Sequence, residues 1–419
     1  MFSCIILRQY QDREFGAAGT KTTNAQPPYS PLTKGDRGLY IRIDNKARHA
    51  KGRSTTARFM QLSTRIRRKT KSISVGNISI GSSHQISVQS MTNTDTRDIA
   101  STVKQIKALT SAGCEIVRVA VPDTEAAEAI SKIKRDITIP LIADIHFDHK
   151  LAIISIESGA DGIRINPGNI GSKVKVAEVA VAAKEKGVPI RIGVNAGSIA
   201  KALLVKHGGP TAGAMVESAL EEIKYLEDLR FDNIKISLKA SDVNKTVAAY
   251  RALAQRVDYP FHVGISEAGT KYSGTIKSSV GIGILLNEGL GDTIRVSLTG
   301  DPMEEVQVAY EILKSLDIRR ETPELISCPT CGRCQIDLAK LAEAVESRIK
   351  ERKLDIRVAV MGCLVNGPGE AREADIGISG GKGEGVLFKK GKIIKKVKED
   401  ELLATLLEEI DKWEEENKR

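Results

Sequence analysis

The sequence predicts an α/β protein with a (β/α)8 TIM barrel followed by a small α+β domain. Eight short runs of β-branched residues alternate with amphipathic stretches between residues 85 and 316, the pattern of a parallel sheet. The eight units span about 230 residues, the size of a closed barrel. Four of the six cysteines fall late, within 36 residues. We therefore divide the chain into a leading segment, 1–65, a barrel, 66–322, and a C-terminal domain, 323–419.

The predicted barrel strands are short runs rich in Val and Ile. They are Gln85–Met91, Cys114–Val121, Ile139–Phe147, Gly162–Asn166, Pro189–Asn195, Asn233–Lys239, Phe261–Glu267 and Asp292–Leu298. Predicted helices between them include Asp98–Ala112, Ser172–Lys186, Ala212–Leu229 and Pro302–Leu316. An open doubly wound sheet is the alternative, but it normally has a glycine-rich first turn. The first turn here, Met-Thr-Asn-Thr-Asp at 91–95, has no glycine, which favours the barrel.

The leading segment carries the positive charge of the chain. Residues 1–71 hold 16 Lys+Arg and 4 Asp+Glu, whereas the remainder holds 47 basic and 49 acidic residues. The balanced charge of the body, with an aromatic content of 4%, argues against nucleic-acid binding. We expect residues 1–65 to be a disordered basic tail. It is interpreted as an extension upstream of a start at Met60, with an organelle transit peptide as the alternative.

The C-terminal domain is predicted to contain two helices, a strand and a hairpin. Its expected elements are a helix at 337–350, a strand at Arg357–Met361, a hairpin at Gly385–Val397 turning at Lys390-Gly391, and a helix at 399–416. At under 100 residues, it is a size that a bound metal helps to stabilise.

Hydropathy and cysteine content predict the compartment. No run approaches the ~18 apolar residues of a membrane-spanning helix, so we expect a soluble, cytoplasmic protein with no membrane partner. A disulfide-stapled secreted domain would be shorter and denser in cysteine. We expect the clustered cysteines to stay as thiols that bind a metal.

Charged and amide side chains recur near the carboxyl ends of the predicted strands. In a barrel these ends carry the catalytic groups, and side chains two residues apart share a face. Asp144 and His146 form one such pair, and Arg164 and Asn166 another. The whole set is Arg118, Asp144, His146, Arg164, Asn166, Arg191, Asn195, Lys235, Lys239, Glu267, Arg295 and Ser297.

The cations in this set outnumber the acids. Asp144 and Glu267 cannot neutralise the six Arg and Lys residues, so a concave site with uncompensated positive charge is predicted to bind an anion. Phosphate oxygens suit guanidinium forks, and a diphosphate would engage several of them. Backbone N–H groups at 277–283 could add donors at a helix start. His207 and His262 are interpreted as structural histidines.

The cysteine cluster predicts a metal site. Cys328-Pro-Thr-Cys331-Gly-Arg-Cys334 forms one knuckle, and Cys363 lies in a second. Cys-x2-Cys with a distant cysteine suits zinc or an iron–sulfur cluster. Zinc ribbons usually pair two Cys-x2-Cys knuckles, so the spacing favours iron–sulfur while leaving zinc open. Spacing alone also favours Cys334 as a fourth thiolate.

Five segments resemble the 4-hydroxy-3-methylbut-2-enyl diphosphate synthase family in its bacterial two-domain form. They are Met-Gly-Cys-Leu-Val-Asn-Gly-Pro-Gly-Glu-Ala at 361–371, Ile-Ser-Cys-Pro-Thr-Cys at 326–331, Ala-Asp-Ile-His-Phe at 143–147, Gly-Ile-Arg-Ile-Asn-Pro-Gly-Asn at 162–169 and Gly-Ile-Ser-Glu-Ala-Gly at 264–269. The resemblance covers about residues 66–415. It implies an iron–sulfur oxidoreductase of the methylerythritol phosphate route to isoprenoids.

The resemblance also implies a 4Fe–4S cluster with four protein ligands. Position by position, these are Cys328, Cys331, Cys363 and Glu370. The family pattern usually has no cysteine at the position of Cys334, which is therefore expected to be a bystander thiol. A carboxylate is a labile ligand that can yield its iron to a substrate oxygen more readily than a thiolate can.

The implied reaction is the reductive ring opening of 2-C-methyl-D-erythritol 2,4-cyclodiphosphate. Its two electrons are expected from reduced flavodoxin or ferredoxin, and the enzyme is expected to be a homodimer. The arginines and lysines would hold the diphosphate, while Asp144 and Asn166 would orient the substrate. Glu267, ahead of His146, would donate the proton that assists loss of the hydroxyl.

Two other functions remain open from the residues alone. The first is a phosphate-substrate barrel enzyme without redox chemistry, similar to pteroate synthases, with a structural zinc. The second is a nucleic-acid-binding protein that uses the basic leading segment.

Overall fold

The computed structural model describes residues 66–166, 170–364, 369 and 371–417. The tail predicted at 1–65 lies outside the described residues, so its disorder stays a prediction. Within the described part of the chain, none of the helices combines the length and the apolar character needed to cross a bilayer.

A short antiparallel hairpin precedes the barrel and was not predicted from the sequence. Its strands are β1, Ile73–Val75, and β2, Ile78–Ile80. The eight strands of the barrel follow: β3, Ser87–Met91; β4, Ile116–Ala120; β5, Leu141–Ile145; β6, Gly162–Ile165; β7, Ile190–Asn195; β8, Ile234–Lys239; β9, His262–Val263; and β10, Thr293–Ile294. All eight predicted strands are present, and the predicted fold class is confirmed.

The eight strands form one parallel sheet in the order β8-β7-β6-β5-β4-β3-β10-β9. A parallel bridge between Ile236 of β8 and Phe261, next to β9, joins the two edges. The Ile236 N–H donates to the Pro260 carbonyl at 3.0 Å across the same seam. Parallel strands that close on themselves place all their carboxyl ends around one mouth.

Helices cover the outside of the sheet, and aspartates start most of them. In the described part of the chain these helices are α1, Ile99–Ser111; α2, Thr124–Arg135; α3, His149–Glu157; α4, Lys173–Lys186; α5, Lys201–His207; α6, Ala212–Asp228; α7, Val243–Ala254; α8, Lys271–Asn287; and α9, Pro302–Ser315. Asp98, Asp123 and Asp301 each accept a backbone N–H of the first turn. A capping carboxylate satisfies an otherwise unpaired amide and complements the helix dipole.

Within its described residues, the C-terminal domain has a five-stranded mixed sheet and two α-helices of a turn or more. Its elements are β11, Glu324–Ser327; α10, Leu338–Ile349; β12, Arg357–Met361; β13, Ile376–Gly380; β14, Glu384–Lys389; β15, Lys392–Lys398; and α11, Leu402–Asn417. The sheet order is β11-β12-β13-β14-β15, with β11, β12 and β13 parallel. Apolar residues of α10 and α11 pack on one face of the sheet. Parallel β11 and β12 end side by side, so the two cysteine knuckles that follow them start from the same edge.

Candidate functional site

A cavity of about 330 Å3 lies at the carboxyl ends of the barrel strands. Its lining includes five cationic side chains and three acidic ones among the described residues. The predicted site residues that line it are Arg118, Asp144, His146, Arg164, Arg191, Asn195, Lys239, Glu267, Arg295 and Ser297. The structure therefore brings together ten of the twelve polar barrel residues predicted from the sequence.

Asp144 is the counter-charge for two of the arginines. One carboxylate oxygen accepts a hydrogen bond from Arg164 Nη1 at 3.1 Å, and the other lies 3.6 Å from Arg118 Nε. Burial opposes ionisation of this carboxyl, but the arginine charges, with Arg118 foremost, outweigh burial and hold its pKa well below the usual value. Burial lowers the pKa of Arg118 to about 10, so the pair stays ionised at neutral pH.

Arg191 and Lys239 carry charge that lacks a matching acid. The Arg191 side chain is buried, and its Nε and Nη1 have no hydrogen-bond partner among the described residues. Burial and the neighbouring cations lower the pKa values of both side chains well below their usual values. Unpaired buried donors that line a cavity are costly in the empty protein. An anion in the cavity would relieve that cost.

Glu305 is a site residue that the sequence analysis missed. It lies on α9, outside the barrel strands, yet it is buried and lines the cavity. Its carboxylate accepts from Arg295 Nη2 at 3.3 Å, from the Leu298 N–H at 3.0 Å and from the Ser90 hydroxyl at 2.9 Å. The sequence did hold one signal, because Glu305 comes in the first turn of a helix that follows the last strand. Helix starts in a barrel face the same mouth as the strand ends.

Glu267 and His146, the two candidate proton donors predicted from the sequence, both line the cavity. Glu267 has a backbone φ of 53°, in the left-handed region that a residue with a Cβ rarely adopts. Such strain persists only where the surroundings enforce it, and it is frequent at functional sites. His146 Nε2 lies 3.2 Å from Arg164 Nη1 and 3.6 Å from an Asp144 carboxylate oxygen.

Two predicted residues do not line the cavity. Asn166 donates from its amide to the Ser198 hydroxyl at 2.6 Å, and this hydroxyl donates to the Asn195 carbonyl at 3.1 Å. Asn166 thus supports the end of β7. Lys235 lies four residues before Lys239 on β8, which is about 13 Å along a strand. It is buried inside the barrel, and its Nζ has no hydrogen-bond partner among the described residues.

The three described cysteines of the predicted ligand set have free thiols in the loops after β11 and β12. Cys328 Sγ accepts a hydrogen bond from the Gly362 N–H at 3.3 Å. An amide that donates to sulfur stabilises a thiolate, the form that binds iron. Cys331 is exposed, and Cys363 is half-buried. In their chemistry these thiols suit an iron–sulfur cluster, and the predicted ligand Glu370 lies outside the described residues.

Cys334 differs from Cys328 in its hydrogen bonding. The thiol of Cys334 donates a hydrogen bond to the Ile336 carbonyl at 3.2 Å, and this contact requires the protonated form of the sulfur. The side chain packs against the apolar core of the domain. Among the described residues, no three His, Cys, Asp or Glu side chains come together around a single metal ion.

Comparison with known proteins identifies both domains. The GcpE TIM-barrel domain matches residues 70–310, and the GcpE protein C-terminal domain matches residues 324–412. Solved structures of dihydropteroate synthase also match, for example that from Yersinia pestis, with 12% identity over 59% of this chain and 98% of that chain. The TM-score is 0.42, and a match this weak carries no argument about fold or function.

Curated relatives are much more similar. The 4-hydroxy-3-methylbut-2-en-1-yl diphosphate synthase (flavodoxin) of Geobacter sulfurreducens is 63% identical over 344 residues, which is 82% of this chain and 98% of that protein. The enzyme of the same name from Clostridium perfringens is 60% identical over 345 residues, covering 82% of this chain and 99% of its own. The resemblance seen in the sequence motifs is confirmed: the chain belongs to the GcpE family, the family of the 4-hydroxy-3-methylbut-2-en-1-yl diphosphate synthases (flavodoxin).

Proposed function

We propose that this chain is an oxidoreductase that converts 2-C-methyl-D-erythritol 2,4-cyclodiphosphate into (E)-4-hydroxy-3-methylbut-2-enyl diphosphate. Two electrons and two protons enter, a C–O bond to the diphosphate breaks, and one hydroxyl leaves as water. The names of the curated relatives support the product, and their wording supports flavodoxin as the donor. A pteroate-synthase-like enzyme without redox chemistry is not favoured.

The observation that carries the proposal is the excess of positive charge in a cavity with unpaired guanidinium donors. Five cations face three acids among the described lining residues, and two nitrogens of Arg191 have no partner there. A diphosphate supplies both the negative charge and the oxygen acceptors. Donors already held in place stabilise the charge that develops on the diphosphate as its ring opens, without reorganising during the reaction.

The residues around the cavity divide the work. Asp144 holds Arg118 and Arg164 toward the substrate, and Glu305 does the same for Arg295. Glu267 is the proposed proton donor, because its carboxyl lines the cavity at the exposed side. His146 is the second candidate for this role, since it lines the same cavity. Asn166 contributes indirectly, through Ser198 and the end of β7.

The cofactor that we propose is a 4Fe–4S cluster held by Cys328, Cys331, Cys363 and Glu370. When bound, it supplies single electrons and an iron centre that acts as a Lewis acid. The hydrogen bond from Gly362 to Cys328 supports this assignment, as does the use of the Cys334 proton within the fold. The functional boundary between the barrel and the cluster domain is proposed at residues 322–323.

The proposed partners are a reduced flavodoxin or ferredoxin and a second copy of the chain. Helix α8 supports the homodimer, because Tyr272, Ile276 and Val280 form an exposed apolar row at a spacing of four residues. If this row forms the dimer interface, Tyr272→Glu should make the protein monomeric. Light scattering would measure this change in mass. We also propose a cytoplasmic location, where thiols stay reduced; the described cysteines are unpaired.

Anaerobic reconstitution followed by a turnover assay tests the proposed function. We expect a brown protein with about four iron atoms per chain that converts the cyclic diphosphate when reduced flavodoxin is supplied. Arg191→Met should abolish turnover. Arg251→Met is the matched control, since Arg251 is exposed on α7 and pairs with Glu288 away from the cavity. An iron-loaded protein that leaves the cyclic diphosphate unchanged would overturn the proposal.

A further inference from the structure

His262 is a buried histidine that does not line the cavity but contacts a residue that does. It lies on β9 and has no exposed surface. Its Nε2 is 3.4 Å from Lys239 Nζ, and Lys239 lines the cavity. Its Nδ1 is 2.8 Å from the Thr293 hydroxyl of β10. The three side chains therefore connect the cavity to the interior of the barrel.

The hydrogen bonds determine which atoms of His262 carry protons. Burial and the nearby cations lower the pKa of this imidazole well below its usual value, so it is neutral and has one donor and one acceptor nitrogen. Burial lowers the pKa of Lys239 as well, but a diphosphate in the cavity would favour its ammonium form. An ammonium can only donate, so Nε2 then accepts from it. Nδ1–H then donates to Thr293. A neutral imidazole in this tautomer can hold an ammonium without adding a further positive charge.

The backbone around this contact is built to bring the two side chains together. The Tyr250 hydroxyl donates to the His262 carbonyl at 2.6 Å and accepts from the Leu238 N–H at 3.0 Å, so it joins β8 to β9 next to both residues. A Cβ on Gly264 would lie 3.0 Å from Lys239 Nζ and 2.3 Å from the Arg295 carbonyl oxygen. The absence of a side chain at this position leaves room for the amine.

We propose that His262 is a positioning residue that holds Lys239 Nζ toward the diphosphate of the substrate. The inference rests on the proposed function, because it requires that the cavity binds a diphosphate. With one ammonium N–H directed to His262, the other two are free to donate to phosphate oxygens. The Nζ–Nε2 distance is long for a hydrogen bond, so the contribution should fall at the lower end for a charged donor.

Calorimetric titration of the full-length protein with inorganic pyrophosphate tests this role. His262→Leu should weaken binding about 10-fold, which is about 1.4 kcal/mol and close to the lower end for one hydrogen bond to a charged group. His262→Gln should stay within about twofold of the native protein, because its amide oxygen can accept at the same position. His149→Leu is the matched control: His149 is also buried, but it pairs with Glu178 on the outer helices and should leave binding unchanged.

A double-mutant cycle separates positioning from a general loss of structure. In a Lys239→Met background, His262→Leu should cause no further loss of pyrophosphate affinity, because the lysine that it positions is gone. Additive losses, or a His262→Leu protein with native affinity, would overturn the inference. If His262→Leu does not fold, Thr293→Val provides the cycle through the second hydrogen bond. A native protein that binds no pyrophosphate would instead overturn the proposed anion site, and the inference with it.

Discussion

Gly362 lies between two cysteines with different predicted roles, and replacing it tests both. Its N–H donates to Cys328 Sγ at 3.3 Å. A Cβ added to it would lie 2.6 Å from Cys334 Sγ and 3.2 Å from Leu338 Cδ2. The methyl group of the Gly362→Ala variant would therefore overlap with Cys334, which we interpret as a bystander thiol.

The expected loss of stability in Gly362→Ala follows from the overlap of the added methyl group with Cys334 Sγ. Non-bonded heavy atoms pack at about 3.5–4.0 Å, so the added methyl would overlap with Cys334 Sγ by roughly 1 Å. Overpacking a core by one methyl group costs about 1–3 kcal/mol. Cys334 cannot move away freely, because its thiol donates to the Ile336 carbonyl at 3.2 Å and packs against the apolar core. We expect Gly362→Ala to lower the free energy of unfolding by that amount.

Urea unfolding of four proteins measures the effect: native, Gly362→Ala, Cys334→Ala and the double variant. Cys334→Ala removes the clashing sulfur, so Gly362→Ala should cost less than about 1 kcal/mol in that background. The coupling energy is the difference between these two costs, so it should be above zero and at most about 3 kcal/mol. Equal costs of Gly362→Ala in both backgrounds would refute the reasoning and would mean that the sulfur is not the atom that the methyl meets.

The remaining predictions concern the ligand set, the acid stability and the barrel interior. Cys334→Ala should keep about four iron atoms per chain after anaerobic reconstitution and Cys363→Ala should not; the reverse result in an iron assay would make Cys334 the ligand. Because the pKa of Asp144 is lowered on folding, its ionised form adds stability above about pH 4, which is lost as the pH falls. Asp144→Asn should therefore flatten the dependence of the urea midpoint on pH between about 5 and 2, and an unchanged slope would contradict the pairing. Lys235→Met should raise the free energy of unfolding by about 1–3 kcal/mol, because it replaces an unpaired buried amine. It should leave pyrophosphate affinity unchanged, and a calorimetric loss of affinity would place Lys235 in the binding site.

Local pattern was enough to predict the barrel. The eight runs of Val and Ile each contain an observed strand, and each observed strand is shorter than its run. Strands β9 and β10 are only two residues each, although the runs 261–267 and 292–298 are longer. The polar residues later in those runs line the cavity and do not pair within the sheet. Composition does not show where the strand pairing stops. The hairpin β1–β2 was missed because its two three-residue strands are too short to show a period.

Two kinds of information needed to predict the site are absent from the strand pattern. One is how far along its strand a residue lies, and the other is which side chains reach the cavity from outside the strands. Lys235 and Lys239 have the same parity on β8 and so share a face, which is what the sequence shows. Which of the two lysines reaches the cavity depends on where along β8 the mouth of the barrel begins. The sequence does not show that position. Glu305 approaches from a helix, so no pattern in the strands could reveal it. Asn166 was predicted to orient the substrate because it shares a face with Arg164 at the end of a strand. The sequence gives no sign of its contact with Ser198, 32 residues away.

The charge balance of the cavity explains why these particular acids are present. If every cation had a carboxylate partner, the cavity would have no net attraction for an anion. If none had one, four arginines, three of them buried, would repel one another in the folded protein without a ligand. Asp144 pairs with Arg118 and Arg164, and Glu305 pairs with Arg295, which leaves Arg191 and Lys239 without an acidic partner among the described residues. The acids thus hold three arginines in position at a tolerable cost, while two unpaired cations at the mouth provide the attraction for a diphosphate.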